Sequence, residues 1–299
     1  MATRGPLWEG ASTARAGGGA TVPLPAMPYA DGGAYLKDAP ERQWPGWEYA
    51  PRRRRGRWLR RLRRLAAVVV ALFLLGTIVF TGLMFVTPSV GNAPELARAI
   101  DWAHGAAYPG PPVPSRFSGA LVATEDHRFY SELGIDPFAV ARVTKAKLIG
   151  GPDQGGATLY QQLAKMLYTP GKSGFAIEVE QVMLGIKLRF AYSRAQILRM
   201  YADVAYFGHG FYGLLAASCG YFGKAPAQLS WPQAALLAGM VQAPSPDDPL
   251  VHYANARARE AHVLGRLVAT GRLTDAQAAQ AYRQPLDLVH ARPAGCAGG

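Results

Sequence analysis

Two adjacent carboxylates, Glu125 and Asp126, are the residues of this sequence best suited to proton transfer. The apolar residues 120–123 precede them, and Arg128 and Phe129 follow. A carboxylate at the edge of an apolar wall has its ionised form disfavoured, which raises its pKa toward the range of a general base. The same pattern is also typical of a solvated helix end with a local Asp–Arg pair, so both interpretations stay open.

A polar segment that opens with two glycines, residues 155–165, is the second candidate. On a helix, Thr158, Gln161 or Gln162, and Lys165 share one face, because residues three or four apart are neighbours. Such a face can donate hydrogen bonds to a sugar and present a cation to a phosphate. It is not a P-loop, since the lysine lies far beyond the glycines and no Ser or Thr follows it. An ordinary amphipathic helix explains the same spacing.

Two further segments carry weaker signals. Residues 178–189 are amphipathic, with acids that include Glu180 first and bases last, an order that suits the helix macrodipole without any function. Residues 206–213 combine glycines with aromatic residues, which suits either a sugar site or a tight turn over the core.

The elements that must position these residues are helices. Between residues 117 and 288, apolar residues recur at helical spacing between Gly and Pro punctuation, and no segment has the period of two that a strand requires. Capping boxes begin three of the predicted helices, at Ser193, Ser230 and Thr274, each with a glutamine three residues later. We therefore predict a mainly α-helical domain.

An apolar run of 22 residues, 65–86, contains neither a charge nor a proline. As a helix it is about 33 Å long, which matches a hydrocarbon core of about 30 Å. A cleavable signal peptide is the alternative, but its apolar region would be shorter and nearer the N-terminus. We predict a single membrane-spanning helix.

Arginines cluster on one side of this run. Nine lie just before it: Arg52, Arg53, Arg54, Arg55, Arg57, Arg60, Arg61, Arg63 and Arg64. They account for most of the formal charge of +12, and no basic residue follows the run before Arg98. The positive-inside rule places the N-terminus in the cytoplasm and the helical domain outside it. A basic run beside a membrane is typical of contact with anionic headgroups, so we expect no nucleic-acid partner.

Composition and pattern divide the chain into six predicted segments. They are a disordered cytoplasmic tail (1–50), an Arg-rich juxtamembrane segment (51–64), the membrane helix (65–86), a linker (87–116), the helical domain (117–289) and a flexible tail (290–299). Cys219 and Cys296 lie in unrelated contexts; a disulfide is compatible with an extracytoplasmic domain, but the sequence favours one buried thiol and one tail thiol.

Taken in order, the polar segments resemble the glycosyltransferase family 51 domain, found in class A penicillin-binding proteins and in monofunctional transglycosylases. Its motif Glu-Asp-x-x-Phe-x-x-His-x-Gly is similar to Glu125, Asp126, Phe129 and Gly134. Its motif Gly-Gly-Ser-Thr-x-Thr-Gln-Gln-Leu-x-Lys is similar to Gly155, Gly156, Thr158, Gln161, Gln162, Leu163 and Lys165. Later matches are at Tyr192-Ser193, Ile197-Leu198, Tyr201, Tyr206-Phe207-Gly208, Tyr212-Gly213, 235–239 and 242–245.

This sequence departs from the family pattern at several positions. Four of them are Glu132 for His, Ala157 for Ser, Tyr160 for Thr and Asp203 for Asn. The family's third motif, Arg-Lys-x-x-Glu, places its glutamate at Gln181, and Glu180 is one residue off, a rotation of about 100° on a helix. Either a local shift of the helix lets Glu180 serve as a second catalytic carboxylate, or that carboxylate is absent.

The resemblance implies a lysozyme-like helical glycosyltransferase domain that joins lipid-linked sugars with inversion. Glu125 would take the proton of the acceptor lipid II 4-hydroxyl, which attacks C1 of the donor chain and releases undecaprenyl pyrophosphate. Lys165 would meet the charge that develops on the leaving group, with help from a divalent ion, Mg²⁺ or Mn²⁺. Shaping and substrate binding fall to a further set: Asp126, Phe129, Thr158, Gln161 and Gln162.

The expected partners are lipid II, the growing glycan chain, the membrane, and transpeptidases or other divisome and elongasome proteins. We expect a monofunctional enzyme of the cell membrane, because no transpeptidase region follows the domain. Two alternatives stay open: a non-catalytic relative that binds lipid II or a divisome partner, and a lysozyme-like hydrolase that cuts glycan.

Overall fold

The computed structural model describes residues 54–106, 108–135 and 157–289. Within these ranges the chain forms ten α-helices, a 3₁₀ turn at Pro226–Gln228 and no strand beyond an isolated bridge between Tyr206 and Tyr212. The predicted mainly helical fold is confirmed. The predicted tails, 1–50 and 290–299, and the glycine pair 155–156 lie outside the described residues.

The described helices follow one another along the chain. They are α1 Arg54–Val86, α2 Ala93–Ala103, α3 Ser115–Glu125, α4 Leu159–Tyr168, α5 Phe175–Ala191, α6 Arg194–Val204, α7 Leu214–Phe222, α8 Trp231–Met240, α9 Tyr253–Ala269 and α10 Asp275–Arg283. The chain divides into two units, residues 1–63 and residues 64–299, and all candidate site residues belong to the second.

Helix α1 contains the predicted membrane run. Its segment Trp58–Val86 has a mean hydropathy of 2.6 and is long and apolar enough to cross a membrane. Just after the helix, the Lys187 Nζ donates to the carbonyls of Thr87 and Pro88 at 2.7 and 2.9 Å. A lysine at this place satisfies carbonyls that have no partner within the helix.

The core of the second unit is built around α8, whose residues from Pro232 to Met240 are all buried. A helix that is apolar on every side must be covered on every side, and α8 packs against both α3 and α9. The fully buried Phe117 and Leu121 of α3 and Val263 of α9 belong to the same hydrophobic core as α8. This arrangement holds the end of α3, and with it Glu125, at a fixed place.

Helices α4 and α5 form a second, antiparallel pair. A Cβ at Gly185 of α5 would lie 3.1 Å from Gln161 Cγ, and at the other end Gln181 Nε2 donates to Thr169 Oγ1 at 2.8 Å. The absence of a side chain at Gly185 lets the two helices cross closely. This close crossing fixes the first turn of α4, which carries most of the second predicted motif.

The predicted capping boxes are confirmed at Ser193 and Thr274. In each, the cap hydroxyl accepts from the backbone amide of a glutamine, Gln196 or Gln277, whose side chain accepts from the cap amide. At Ser230 the glutamine three residues later accepts from the Ser230 amide at 3.1 Å. These residues set the starts of α6, α10 and α8.

Cys219, buried in α7, is disulfide-bonded. The prediction of a buried free thiol was therefore wrong, because pairing depends on proximity in the fold and the spacing of two distant cysteines does not encode it. The other cysteine of the sequence, Cys296, lies outside the described residues.

Candidate active site

Glu125 is the last residue of α3, and the five residues from Gly119 to Ala123 before it are buried. The helix ends there because Asp126 has a φ of −156°, outside the helical region. The Glu125 side chain, 11% exposed, therefore stands where the core meets solvent. This is the carboxylate on an apolar wall that the sequence predicted.

The two oxygens of Glu125 face different donors. Gln162 Nε2, from α4, donates to Oε2 at 3.0 Å. The guanidinium of Arg259, from α9, lies 3.8 Å from Oε1. Helices far apart in sequence thus place an amide and a cation on one carboxylate, which leaves it ready to accept a proton and to return to the ionised form.

Burial raises the pKa of Glu125 above its ordinary value, and the neighbouring Asp126 raises it further. The hydrogen bond from Gln162 and the charge of Arg259 lower it, but burial is the largest effect. A carboxylate whose pKa is moved toward neutrality, while two donors still favour its charge, has the properties of a general base.

Asp126 is buried and uses a carboxylate oxygen to hold the start of α4. Its Oδ2 accepts from the backbone amide of Leu159 at 3.0 Å. An anion at a helix N-terminus is stabilised by the unpaired amides there. Asp126 therefore fixes α4 against the end of α3, and its predicted contact with substrate stays a prediction.

Three other predicted binding residues, Phe129, Thr158 and Gln161, lie inside the protein. Thr158 and Gln161 form the capping box of α4, and Thr158 Oγ1 also donates to Gly134 O at 3.2 Å. Phe129 is fully buried and stacks on Tyr160 at 4.9 Å between ring centroids. The contacts of all three are with the protein itself, so their first effect is on the shape of the site.

Gln162 and Lys165 occupy the outer face of α4. Gln162 is half-buried between Glu125 and Tyr201, whose hydroxyl donates to Gln162 Oε1 at 2.7 Å. Lys165, one turn later, is exposed. The shared face predicted for these two side chains places an exposed cation within one helical turn of the residue that contacts Glu125.

Glu180 and Gln181 have different surroundings on α5, which is a continuous α-helix. The Gln181 amide is held by Thr169 at the end of α4. Glu180 is half-exposed, and within the described part of the chain it has neither a hydrogen bond nor an ion pair. It lies on the α5 face of Lys187, since the two residues are seven apart. The catalytic role of Glu180 stays a prediction.

Arg259 is a site residue that the sequence did not predict. Its side chain, 17% exposed, reaches Gly239 O at 2.8 Å and Asp247 Oδ2 at 3.8 Å, and also binds the amide of Gln242. It therefore joins Glu125 to the loop after α8. The available signal was its place on the apolar stripe of α9, four residues before the buried Val263.

Tyr201 matches a residue of the family motif, but the sequence predicts no role for it. A tyrosine at helical spacing among apolar residues is typical of a core position, and Tyr201 is indeed 2% exposed. Its importance comes from its hydroxyl, whose partner Gln162 is 39 residues away in the chain. No spacing rule predicts such a contact.

The predicted divalent ion has no evident ligand set. Within the described residues, no group of three or more His, Cys, Asp or Glu side chains is placed to hold a metal ion. Glu125 and Asp126 are adjacent, but their oxygens bind Gln162 and the Leu159 amide. The ion stays a prediction.

Comparison with known proteins identifies a family and several similar proteins. The family described as Transglycosylase matches residues 96–268. A Cupriavidus necator protein named as a transglycosylase is 34% identical over 176 residues, which cover 59% of this chain and 76% of that protein. Penicillin-binding protein 1A of Mycobacterium tuberculosis is 33% identical over 256 residues, 79% of this chain and 31% of that protein.

Penicillin-binding protein 1F of Bacillus subtilis is 36% identical over 177 residues, but this chain spans only 25% of its length. Among solved structures, penicillin-binding protein 1A from Haemophilus influenzae matches with a TM-score of 0.36 and 20% identity, over 61% of this chain and 18% of that one. That likeness is too weak to compare the two folds.

Proposed function

Because the chain belongs to the transglycosylase family, which matches residues 96–268, we propose that it is a peptidoglycan glycosyltransferase that polymerises lipid II into glycan strands. The ordered motifs predict membership of this family, and the match confirms it. The observation that carries the proposal is Glu125, a carboxylate at the rim of the core between an amide and a guanidinium.

In the proposed reaction, Glu125 accepts the proton of the 4-hydroxyl of the acceptor lipid II. The oxygen of that hydroxyl forms a bond to C1 of the donor chain on the face opposite its pyrophosphate. The C1–O bond to the pyrophosphate breaks, undecaprenyl pyrophosphate leaves, and the new β-1,4 linkage has inverted configuration. The raised pKa of Glu125 supports its role, because a base of higher pKa takes a hydroxyl proton more readily.

Lys165 is the cation that we assign to the leaving group. It is exposed and lies one helical turn from Gln162, so its ammonium can approach a pyrophosphate beside Glu125. Glu180 is assigned as a second carboxylate of the site, supported by its partial exposure on α5. Neither assignment requires a metal ion, and the divalent ion is kept as a proposal only.

We further propose that α1 anchors the domain on the outer face of the cell membrane with the N-terminus in the cytoplasm. The length and hydropathy of α1 and the nine arginines before its apolar run support this orientation. The disulfide at Cys219 also suits an oxidising compartment. An anchor confines the enzyme to the plane of its lipid-linked substrates and raises their effective concentration.

A second candidate function is a non-catalytic protein that binds lipid II or a partner of the cell-wall machinery. The observation in its favour is Gln181, an amide bonded to Thr169 where the family pattern has a glutamate. The proposed partners of either form are the growing glycan chain and transpeptidases of the divisome or elongasome.

Fluorescent lipid II incubated with the full-length protein in detergent, over a range of pH and with or without Mg²⁺ or Mn²⁺, tests the proposal. Polymerised chains with wild type and none with Glu125→Gln would support it. Lipid II that binds without forming chains under every condition would contradict it in favour of the second candidate. Shortening of purified glycan would instead indicate a hydrolase.

Glu180→Gln belongs in the same series, with Glu178→Gln on the same helix as its control. A loss of chains in the first variant alone supports Glu180 as the second carboxylate. Full activity in Glu180→Gln would remove it from the site.

A further inference from the structure

Three polar side chains form a connected series that ends on Glu125. The Tyr201 hydroxyl donates to Gln162 Oε1 at 2.7 Å, and Gln162 Nε2 donates to Glu125 Oε2 at 3.0 Å. The three residues come from α6, α4 and α3. The series therefore depends on how these helices pack together.

Gln162, the middle residue of the series, can present either its NH₂ group or its carbonyl to Glu125. A glutamine amide can turn by 180°, which exchanges its NH₂ donor for its carbonyl acceptor. The ionised Glu125 carboxylate can only accept, so it holds Nε2 on its side, and the Tyr201 hydroxyl supports this orientation by donating to the Oε1 on the other side. Gln162 Nε2 also reaches Ala157 O at 3.5 Å, which agrees with this orientation. The NH₂ group is then left facing Glu125.

Tyr201 can keep this role at every working pH. It is 2% exposed, and burial raises its pKa well above the ordinary value, with Glu125 adding to the effect. The phenol stays protonated and remains a donor. Because the side chain is buried, it cannot itself contact a substrate that arrives from solvent.

We propose that Tyr201 is a positioning residue for glycosyl transfer, which acts through Gln162 to keep an N–H donor on Glu125. The inference rests on the proposed function for its effect on rate. Tyr201 touches neither sugar nor pyrophosphate, but it holds in place the Gln162 amide that contacts the base.

Loss of the Tyr201 hydroxyl is expected to change the pKa of Glu125. Its neighbours are Asp126 on its own chain segment, Gln162 on α4, Arg259 on α9 and Tyr201 on α6. Without the Tyr201 hydroxyl, Gln162 Oε1 loses its donor and the side chain is held less firmly, so Nε2 donates less well to Glu125 and the ionised form is less stabilised. The pKa of Glu125 then rises, so the base becomes protonated, and activity falls, at a higher pH than in wild type.

Tyr201→Phe tests this by removal of one oxygen, and Tyr221→Phe is its matched control. Tyr221 is fully buried and donates through its hydroxyl to the backbone carbonyl of Phe207 at 2.9 Å, and it makes no hydrogen bond to Gln162 or Glu125. We expect Tyr201→Phe to lower kcat roughly tenfold with little change in KM. We also expect its acid limb of kcat against pH to move upward, whereas Tyr221→Phe keeps the wild-type kcat and pH profile.

A second measurement does not need catalysis. The titration of Glu125 is followed by carbon NMR of glutamate-labelled protein, with its signal assigned from its loss in Glu125→Gln. Tyr201→Phe and Gln162→Leu are both expected to raise the Glu125 pKa, and the double variant is expected to match Gln162→Leu alone. Additive effects in the double variant would contradict a route through Gln162.

Different results would contradict the proposed function and the positioning role of Tyr201. No chains from wild type would contradict the proposed function, while the Glu125 titration still tests Tyr201. An unchanged Glu125 titration and acid limb in Tyr201→Phe, or an effect equal to that of Tyr221→Phe, would overturn the positioning role even in an active enzyme. If Tyr201→Phe does not fold, an unchanged Glu125 pKa in Gln162→Leu overturns it as well.

Discussion

At the scale of single residues, the charge of Glu125 depends on Arg259. The guanidinium lies 3.8 Å from Glu125 Oε1 and lowers a pKa that burial raises. A base must be ionised before it can accept a proton, so loss of this cation protonates Glu125 at a higher pH.

We predict that Arg259→Gln moves the acid limb of kcat upward in pH and lowers kcat roughly tenfold near neutrality. Arg283→Gln removes an equal charge from an exposed position on α10 and should have neither effect. The measurement is the initial rate of chain formation between pH 5 and 9. An acid limb at the wild-type position in Arg259→Gln would contradict this account of Glu125.

Residue types and spacing predicted part of the site. Glu125 beside an apolar run and the shared face of Gln162 and Lys165 could be inferred, because both are local features. Arg259 and Tyr201 could not, since each reaches the site across helix packing that no local pattern encodes. The structural role of Thr158 could not be predicted either, because the same amino-acid types cap helices and bind ligands.

At the scale of the elements, the loop after α3 must pass close to α5. Gly134 has a φ of +88°, and a Cβ there would lie 2.7 Å from Gly185 O. Both the backbone conformation and the space exclude a side chain at this point. The contact helps to place the start of α4 against the end of α3.

We predict that Gly134→Ala lowers the free energy of unfolding by about 3 kcal/mol, from backbone strain and overpacking together. Gly271→Ala is the matched control: its φ is +70°, but a Cβ there would have no atom within 4 Å. Gly271→Ala should lower the free energy of unfolding by only about 1 kcal/mol, the cost of the backbone strain. Equal losses in denaturant unfolding of the two variants would show that the contact with Gly185 does not matter.

Helix α2 packs on α6, and each helix contributes one buried acid, Asp101 and Asp203. Asp203 Oδ2 accepts from the Gly110 amide at 3.2 Å, and Asp101 is 1% exposed. Burial and mutual repulsion raise the pKa of Asp101 to about 7, and burial raises that of Asp203 to about 6 despite Arg199. In the unfolded chain both would ionise near pH 4.

The direction in which the stability of the fold changes with pH follows from these raised pKa values. As pH rises from about 4 to about 7 the unfolded chain loses protons that the folded chain keeps, so the stability of the fold decreases. Buried Glu260, with a pKa also raised to about 7, acts in the same direction. We predict that Asp101→Asn lessens the fall in melting temperature between pH 5 and 8. The exposed Asp275→Asn should not, and equal slopes in Asp101→Asn and wild type would contradict the prediction.

Element boundaries were predictable where local chemistry sets them. The capping boxes at Ser193 and Thr274 fix the first turns of α6 and α10 by contacts within three residues. The disulfide at Cys219 and the docking of α2 on α6 depend on distant parts of the chain. Sequence patterns therefore predicted the helices better than their contacts.

At the scale of the whole molecule, the proposed function requires that the domain and its lipid substrates lie on the same side of the membrane. We predict that protease added to sealed right-side-out vesicles removes a C-terminal tag and leaves an N-terminal tag intact. Permeabilised vesicles should lose both tags, which controls for tag resistance. Loss of the N-terminal tag alone from sealed vesicles would reverse the proposed orientation.

The most direct measurement of the central claim, that Glu125 is the base of a glycosyl transfer, is the rate of lipid II polymerisation by Glu125→Gln. The control is Glu95→Gln, an identical change at an exposed position on α2. We predict a fall of about 100-fold or more for Glu125→Gln with lipid II still bound, and wild-type rates for the control. Chain formation by Glu125→Gln at the wild-type rate would contradict the account.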